Sequence, residues 1–186
     1  MVKNASILLI GLCLSISAFG QKVKLKKTAI DKGITISIPS DFIALTDQDV
    51  NLKFISYRKP LAVYTNIDRT VDITINLNET SWREMDIGLA KDFYYNTILS
   101  LYDEVVFLIN EVKNIESRDF AVFEFVSTIK GEEGSITKKP SVVNFTLIQY
   151  TIKDGHTYVF SFSCPFYLKK KWQKTAHKIM ESIVMR

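Results

Sequence analysis

Few side chains in this sequence could do chemistry. Two cysteines and two histidines occur in 186 residues: Cys13, Cys164, His156 and His177. A nucleophilic thiol needs a base within hydrogen-bond reach, and Cys164 is the candidate nucleophile. His156 lies at the far end of the same strand-like run, about 26 Å away at the usual rise per residue, and cannot serve it. His177 would have to approach from the last helical segment. It sits there at the border of a lysine-rich arc, so it reads as a solvated histidine and Cys164 as a small apolar packing residue.

Other reactive constellations lack their scaffolds. No serine stands in a Gly-x-Ser-x-Gly elbow, and no glycine-rich phosphate loop follows a strand. Two histidines and a lone thiol do not make a standard zinc set. Asp47 and Asp49 alternate as calcium ligands would. The further oxygen ligands, glycine and terminal glutamate of that loop are missing, so they read as a solvated turn. Asp72, Glu79, Glu84 and Glu124 would have to converge to act as acid and base, and nothing in their spacing brings them together. The sequence names no catalytic residue, no metal ligand and no cofactor.

Two surface features could carry recognition instead. The segment from Lys130 to Pro140, with Lys130, Gly131, Glu132, Glu133, Gly134, Lys138 and Lys139, sits between two long strand-like runs and could form a partner-binding tip. Lys170, Lys171, Lys174 and Lys178 make a basic face on the last helix that, with Lys169, could meet anionic lipid head groups or an acidic protein. The plainer readings, a solvated hairpin and a solubilising face, are favoured for both.

The elements that would hold these features follow an export signal. Lys3 precedes an uncharged run from Ala5 to Phe19, with Ala18 and Gly20 before a cut at Gln21, so residues 1–20 read as a signal peptide. Competing readings are a lipoprotein leader acylated at Cys13, which Leu12 disfavours, and an uncleaved anchor. Taking twenty residues from 186 leaves 166, enough for one domain without a disulfide or metal staple. The formal charge falls from +4 to about +3, well short of a nucleic-acid-binding surface.

Residues 21–32 read as a flexible N-terminus and 33–186 as a single α+β domain. Strand signals run over Gly33–Ile38, Lys53–Tyr57, Leu61–Thr65 and Val71–Leu77, then Val105–Val112, Phe120–Ile129, Val142–Ile152 and His156–Cys164. Asp154-Gly155 marks a type I′ hairpin. Apolar residues on both faces of Phe120–Val126 predict a central, doubly covered strand. Ile87, Ala90, Tyr94, Ile98 and Leu101 give a helix over 86–102, and Pro165 opens another that runs to about Met185. The expected fold is a twisted, largely antiparallel sheet of about six to seven strands flanked by a mid-chain and a C-terminal helix.

The opening strand "ITISIPSDF", the mid-chain helix and the closing "GHTYVFSFSCPFYLKKKWQKTAHKIMESI" resemble the Mog1/PsbP-like fold group, which includes DcrB-like exported bacterial proteins. The resemblance spans roughly Gly33 to Met185 and implies an accessory or partner-binding role with no catalytic residues to carry over. The leading expectation is therefore an exported, non-enzymatic binding or accessory protein of the cell envelope, recognising a protein or envelope component. Membrane-surface contact is a lesser option and nucleic acid is not expected. The alternatives are a small-ligand or lipid carrier with an aromatic-lined cavity and a hydrolase.

Overall fold

A computed structural model of the chain describes residues 23–31, 33–53, 59–131 and 140–186. Alternation in the sequence becomes two-sidedness in the sheet. Val71, Ile73 and Ile75 are buried, while Asp72, Thr74 and Asn76 between them are half-buried. In order, the strands are β1 (Leu25–Asp31), β2 (Ile34–Pro39), β3 (Ile43–Ala44), β4 (Ala62–Thr65), β5 (Asp72–Glu79), β6 (Glu104–Ile115), β7 (Arg118–Ile129), β8 (Val142–Lys153), β9 (His156–Pro165) and β10 (Val184–Met185). The helices are α1 (Asp47–Lys53), α2 (Ile87–Leu101) and α3 (Lys169–Met180), with single 3-10 turns before α2 and α3. The expected leader over residues 1–20 lies outside the described residues.

The strands form an antiparallel seven-stranded sheet, ordered β3-β4-β5-β9-β8-β7-β6, and a separate three-stranded sheet, ordered β1-β2-β10. The opening strand therefore belongs to a second small sheet and not to the main one. Its Ile34, Ile36 and Ile38 share a core with Val71, Ile73 and Ile75 of the β5 region, Phe160 and Phe162 of β9, and Trp172, Ile179 and Met180 of α3. On the other face of the main sheet, Ile87, Ala90 and Ile98 of α2 pack with Phe123, Phe125, Tyr150 and Val159. The layers are thus α2, the large sheet, then the small sheet with α3.

β7 has the double cover that its composition demands. Phe120 and Val122 point into one core, and Ala121, Phe123 and Phe125 into the other. It lies one strand in from the β6 edge, so double cover here comes from helices and not from a central position.

Three expectations are corrected. The segment read as a flexible N-terminus contains β1, which pairs with β2 from Leu25 opposite Pro39 to Asp31 opposite Ile34. Val23, Leu25 and Ile30 pack on the core while lysines face out, a pattern suited to an edge strand. Asp47 and Asp49 sit in the first turn of α1, not in a loop. Thr46 Oγ1 donates to Asp49 Oδ2 at 2.7 Å and accepts from Asp49 N at 3.2 Å, a reciprocal cap. The last helix stops at Met180: Ser182 Oγ donates to Ile179 O and accepts from Ser37 N, and the chain turns into β10. Of the run expected over Lys53–Tyr57, Lys53 ends α1 and 54–58 lie outside the described residues.

Candidate functional site

The reactive candidates are placed by the core. Cys164 lies opposite Phe145 in the β8–β9 pair and is buried among Phe145, Phe162 and Trp172. Burial pushes its thiol up to about 11, which removes the thiolate that nucleophilic chemistry needs. His177, read as solvated, is instead bonded to the sheet. Its Nε2 lies 2.9 Å from Glu124 Oε2, and Gln173 Nε2 donates to Glu124 Oε1. The Cys164/His177 pair is therefore not assembled, and Glu124 in the middle of β7 is held by two α3 side chains one turn apart.

The other carboxylates stay separate. Asp72 and Glu79 occupy opposite ends of β5, about 23 Å apart by strand rise, and Asp72 pairs with Lys53. Glu84 sits before α2, 3.5 Å from Arg118. Asp47 pairs with Lys59 and Asp49 with Arg69. The Thr46 hydroxyl bonded to Asp49, then the Thr46 amide, hold that carboxyl below the usual range. Among the described residues no three histidine, cysteine or acidic side chains group as metal ligands.

Two hollows open at the Asp154-Gly155 end of the sheet. One of about 420 Å³ is lined by Lys59, Leu77, Glu79 and His156. The other, about 150 Å³, is lined by Glu84, Ser117, Arg118, Asp119, Thr151 and Ile152. Both linings are mainly polar. The phenylalanines are elsewhere, packed in the two cores, so neither hollow has the aromatic lining a carrier of apolar ligands would need.

The opposite end carries the start of α3 and the point where Lys130 and Gly131 leave β7. Ile129 pairs with Val142 and Asn144 with Pro165, so Lys130 and Gly131 leave β7 beside the turn that opens α3. Residues 132–139, with Glu132, Glu133, Gly134, Lys138 and Lys139, lie outside the described residues. Lys130 is tied down: its Nζ is 3.0 Å from Glu104 and its amide donates to Asp103. The α3 lysines behave differently. Lys170, Lys171, Lys174 and Lys178 are exposed, and among the described residues none is paired with a carboxylate. Lys169 reaches over the Phe145 ring, 5.9 Å from its centroid. Immediately before them, Phe166 and Tyr167 are 48% and 75% exposed.

A second exposed feature lies on the far face of the sheet. Met85, Leu89 and Phe93 follow one another at four-residue steps along the outer side of α2 and the turn before it, all open to solvent.

No family model matches the chain, and no curated protein is similar to it. Solved structures are similar in shape. The solution structure of cyanobacterial PsbP (CyanoP) from Synechocystis sp. PCC 6803 superposes with a TM-score of 0.57 at 13% identity, over 95% of this chain and 99% of that one. LpqN of Mycobacterium tuberculosis, described as involved in cell envelope biogenesis, gives 0.54 at 10% identity, over 88% and 91%. The fold is Mog1/PsbP-like.

At this identity a PsbP-like fold fixes the frame and leaves function to the surface. Two signals for that surface are present in the sequence. Leu89 and Phe93 fall outside the core-facing set of α2, so the helix is apolar on more of its circumference than burial requires. Phe166 and Tyr167 precede a lysine triplet with no core position left for them, since Leu168 and Trp172 already fill the inward arc.

Proposed function

We propose that this chain is an exported, non-enzymatic binding or accessory protein of the cell envelope that recognises its partner through surfaces laid over a PsbP-like frame. The observation that carries the reading is the outward stripe of Met85, Leu89 and Phe93. A helix already anchored by Ile87, Ala90 and Ile98 has no folding use for apolar residues on its other side. Phe93 touches Trp82, with centroids 6.1 Å apart, so the stripe broadens into an apolar surface with an aromatic flank. The shape shared with LpqN, a protein of envelope biogenesis, supports the compartment.

The test is capture of partners from an envelope extract by the full chain, compared with M85S/L89S/F93S and with a chain lacking residues 131–138. Loss of partners in the triple variant with an unchanged circular dichroism spectrum is the expected result. Unchanged capture by the triple variant sinks the α2 surface, and loss only on deleting 131–138 moves recognition to the loop.

A further inference from the structure

We propose that the end of the domain formed by Phe166, Tyr167 and the lysines at the start of α3 docks on an anionic lipid surface. The inference goes beyond the accessory-binding reading, because it concerns the opposite face of the sheet from the α2 stripe and an occupant of different chemistry.

The first sign is local. Lys169, Lys170 and Lys171 fill the first turn of α3, where the helix carries its positive pole and acidic residues are the stabilising choice; no acidic residue is there. A placement that works against the helix is expected where the site serves something other than folding. The second is composition. Exposed Phe166 and Tyr167 lie next to the lysines, and Ile129, Val142 and Val143 are exposed at the ends of the neighbouring strands. Aromatic rings with basic side chains around them are the pattern of a surface that sits among lipid head groups, rings toward the acyl boundary and ammonium groups toward phosphate.

The third is charge. Of the acidic groups described at this end, Asp72 is engaged by Lys53, Glu104 by the Lys130 side chain and Asp103 by the Lys130 amide. Asp49 is paired with Arg69, which leaves Asp41 and Asp68 against Lys24, Lys169, Lys170, Lys171 and Lys174. The fourth is where the preceding chain attaches. Leu25 lies opposite Pro39, Ser40 N donates to Lys24 O at 2.8 Å, and Phe42 packs on Trp172 with centroids 5.4 Å apart. The chain thus enters the domain beside the first turn of α3. Three residues lie between Phe19, the end of the uncharged run, and Val23, so the four Cα-to-Cα steps span at most about 14 Å. Whatever chain precedes Val23 joins the domain at the end that carries the lysines and exposed rings. An acidic protein would account for the lysines and could cover the rings, but it would not account for this attachment.

The test uses the full chain bearing Y167W, with vesicles of phosphatidylcholine alone and of phosphatidylcholine mixed with brominated phosphatidylglycerol. The difference in tryptophan emission from the parent chain reports on position 167 even if the apolar run itself enters the vesicle. Expected results are a blue shift and bromine quenching on the anionic vesicles only, reversed by salt. Adding K169Q/K170Q/K171Q should weaken binding on the order of a hundredfold, at about fivefold per lysine. That variant should unfold at the same or higher temperature, since it removes cations from a helix N-terminus. Equal response on both vesicles, no response on either, or insensitivity to the lysine changes overturns the proposal. A response to an acidic polypeptide such as polyglutamate without one to anionic vesicles overturns it in favour of a protein partner.

Discussion

Glu124 shows how the ionisable residues of this chain are used. Its side chain is 2% exposed, and an apolar sheet would leave it unsatisfied without Gln173 and His177, spaced four apart so that both reach it from one face of α3. The arrangement ties helix to sheet; it holds no nucleophile. Cys164 is equally removed from chemistry, and its behaviour with pH follows from burial. The folded chain keeps the thiol proton up to about 11, whereas an unfolded thiol loses it near about 8.5. Stability from Cys164 is therefore complete below about pH 8.5 and is lost as pH rises toward the folded value. Buried Tyr150 and half-buried Tyr64, Tyr102 and Tyr158, all pushed up first by desolvation, add a loss of the same sign only above about pH 10. In urea titrations, C164A should flatten the fall in stability between these limits. An aromatic disulfide reagent at pH 8 should label Cys164 of the native C13S chain no faster than that chain unfolds. Rapid stoichiometric labelling would show the thiol to be accessible.

At the scale of elements, what could be read in the sequence is what period alone encodes. Ile73 and Ile75 against Thr74 and Asn76 mark a strand with no reference to its neighbours, and Asp154-Gly155, at φ 50° and 73°, forms the expected left-handed pair. What escaped depends on contacts distant in sequence. Lys24 to Lys27 resemble an exported tail until β2 lies beside them. Val184 and Met185 continue the apolar pattern of α3 until Ser37 binds Ser182 and draws the chain into the small sheet. The cap between Thr46 and Asp49 is legible as a threonine followed three residues later by an acid, whereas the alternation of Asp47 and Asp49 alone suggests ligands. The α3 end could be named by its lysines, whereas the exposure of Phe166 and Tyr167 appears only once the core is seen to be full.

One turn departs from its usual residues. The β6–β7 hairpin places Glu116 and Ser117 at φ 49° and 64°, left-handed at both positions without a glycine. Replacing Ser117 by glycine should raise stability by about 0.5–1 kcal/mol in chemical denaturation, because the strain outweighs the added freedom of the unfolded chain. Gly155→Ala, in the matching position of the β8–β9 turn, should lower it by about 1 kcal/mol. Opposite signs at two hairpins of one sheet test the backbone explanation directly.

At the scale of the whole molecule, the two cores are separate as clusters yet built on the same strands. Along β7 the chain sends Phe120 and Val122 to the α3 side and Phe123 and Phe125 to the α2 side, and along β8 Phe145 and Leu147 face α3 while Tyr150 and Ile152 face α2. Melting either core would strip one face from strands whose ladder also supports the other, so the two should be lost together. The tryptophans divide conveniently: Trp172 lies in the α3 core, and Trp82 packs against the α2 core. In W82F the remaining emission follows one layer, and in W172F the other. Within each variant, the urea midpoint from fluorescence should coincide with that from far-ultraviolet circular dichroism. A Trp172 signal lost before the helical and sheet signal would mean that the small sheet and α3 come away as a unit. The end carrying the lysines and exposed rings could then rearrange on a surface while the seven-stranded sheet stays folded.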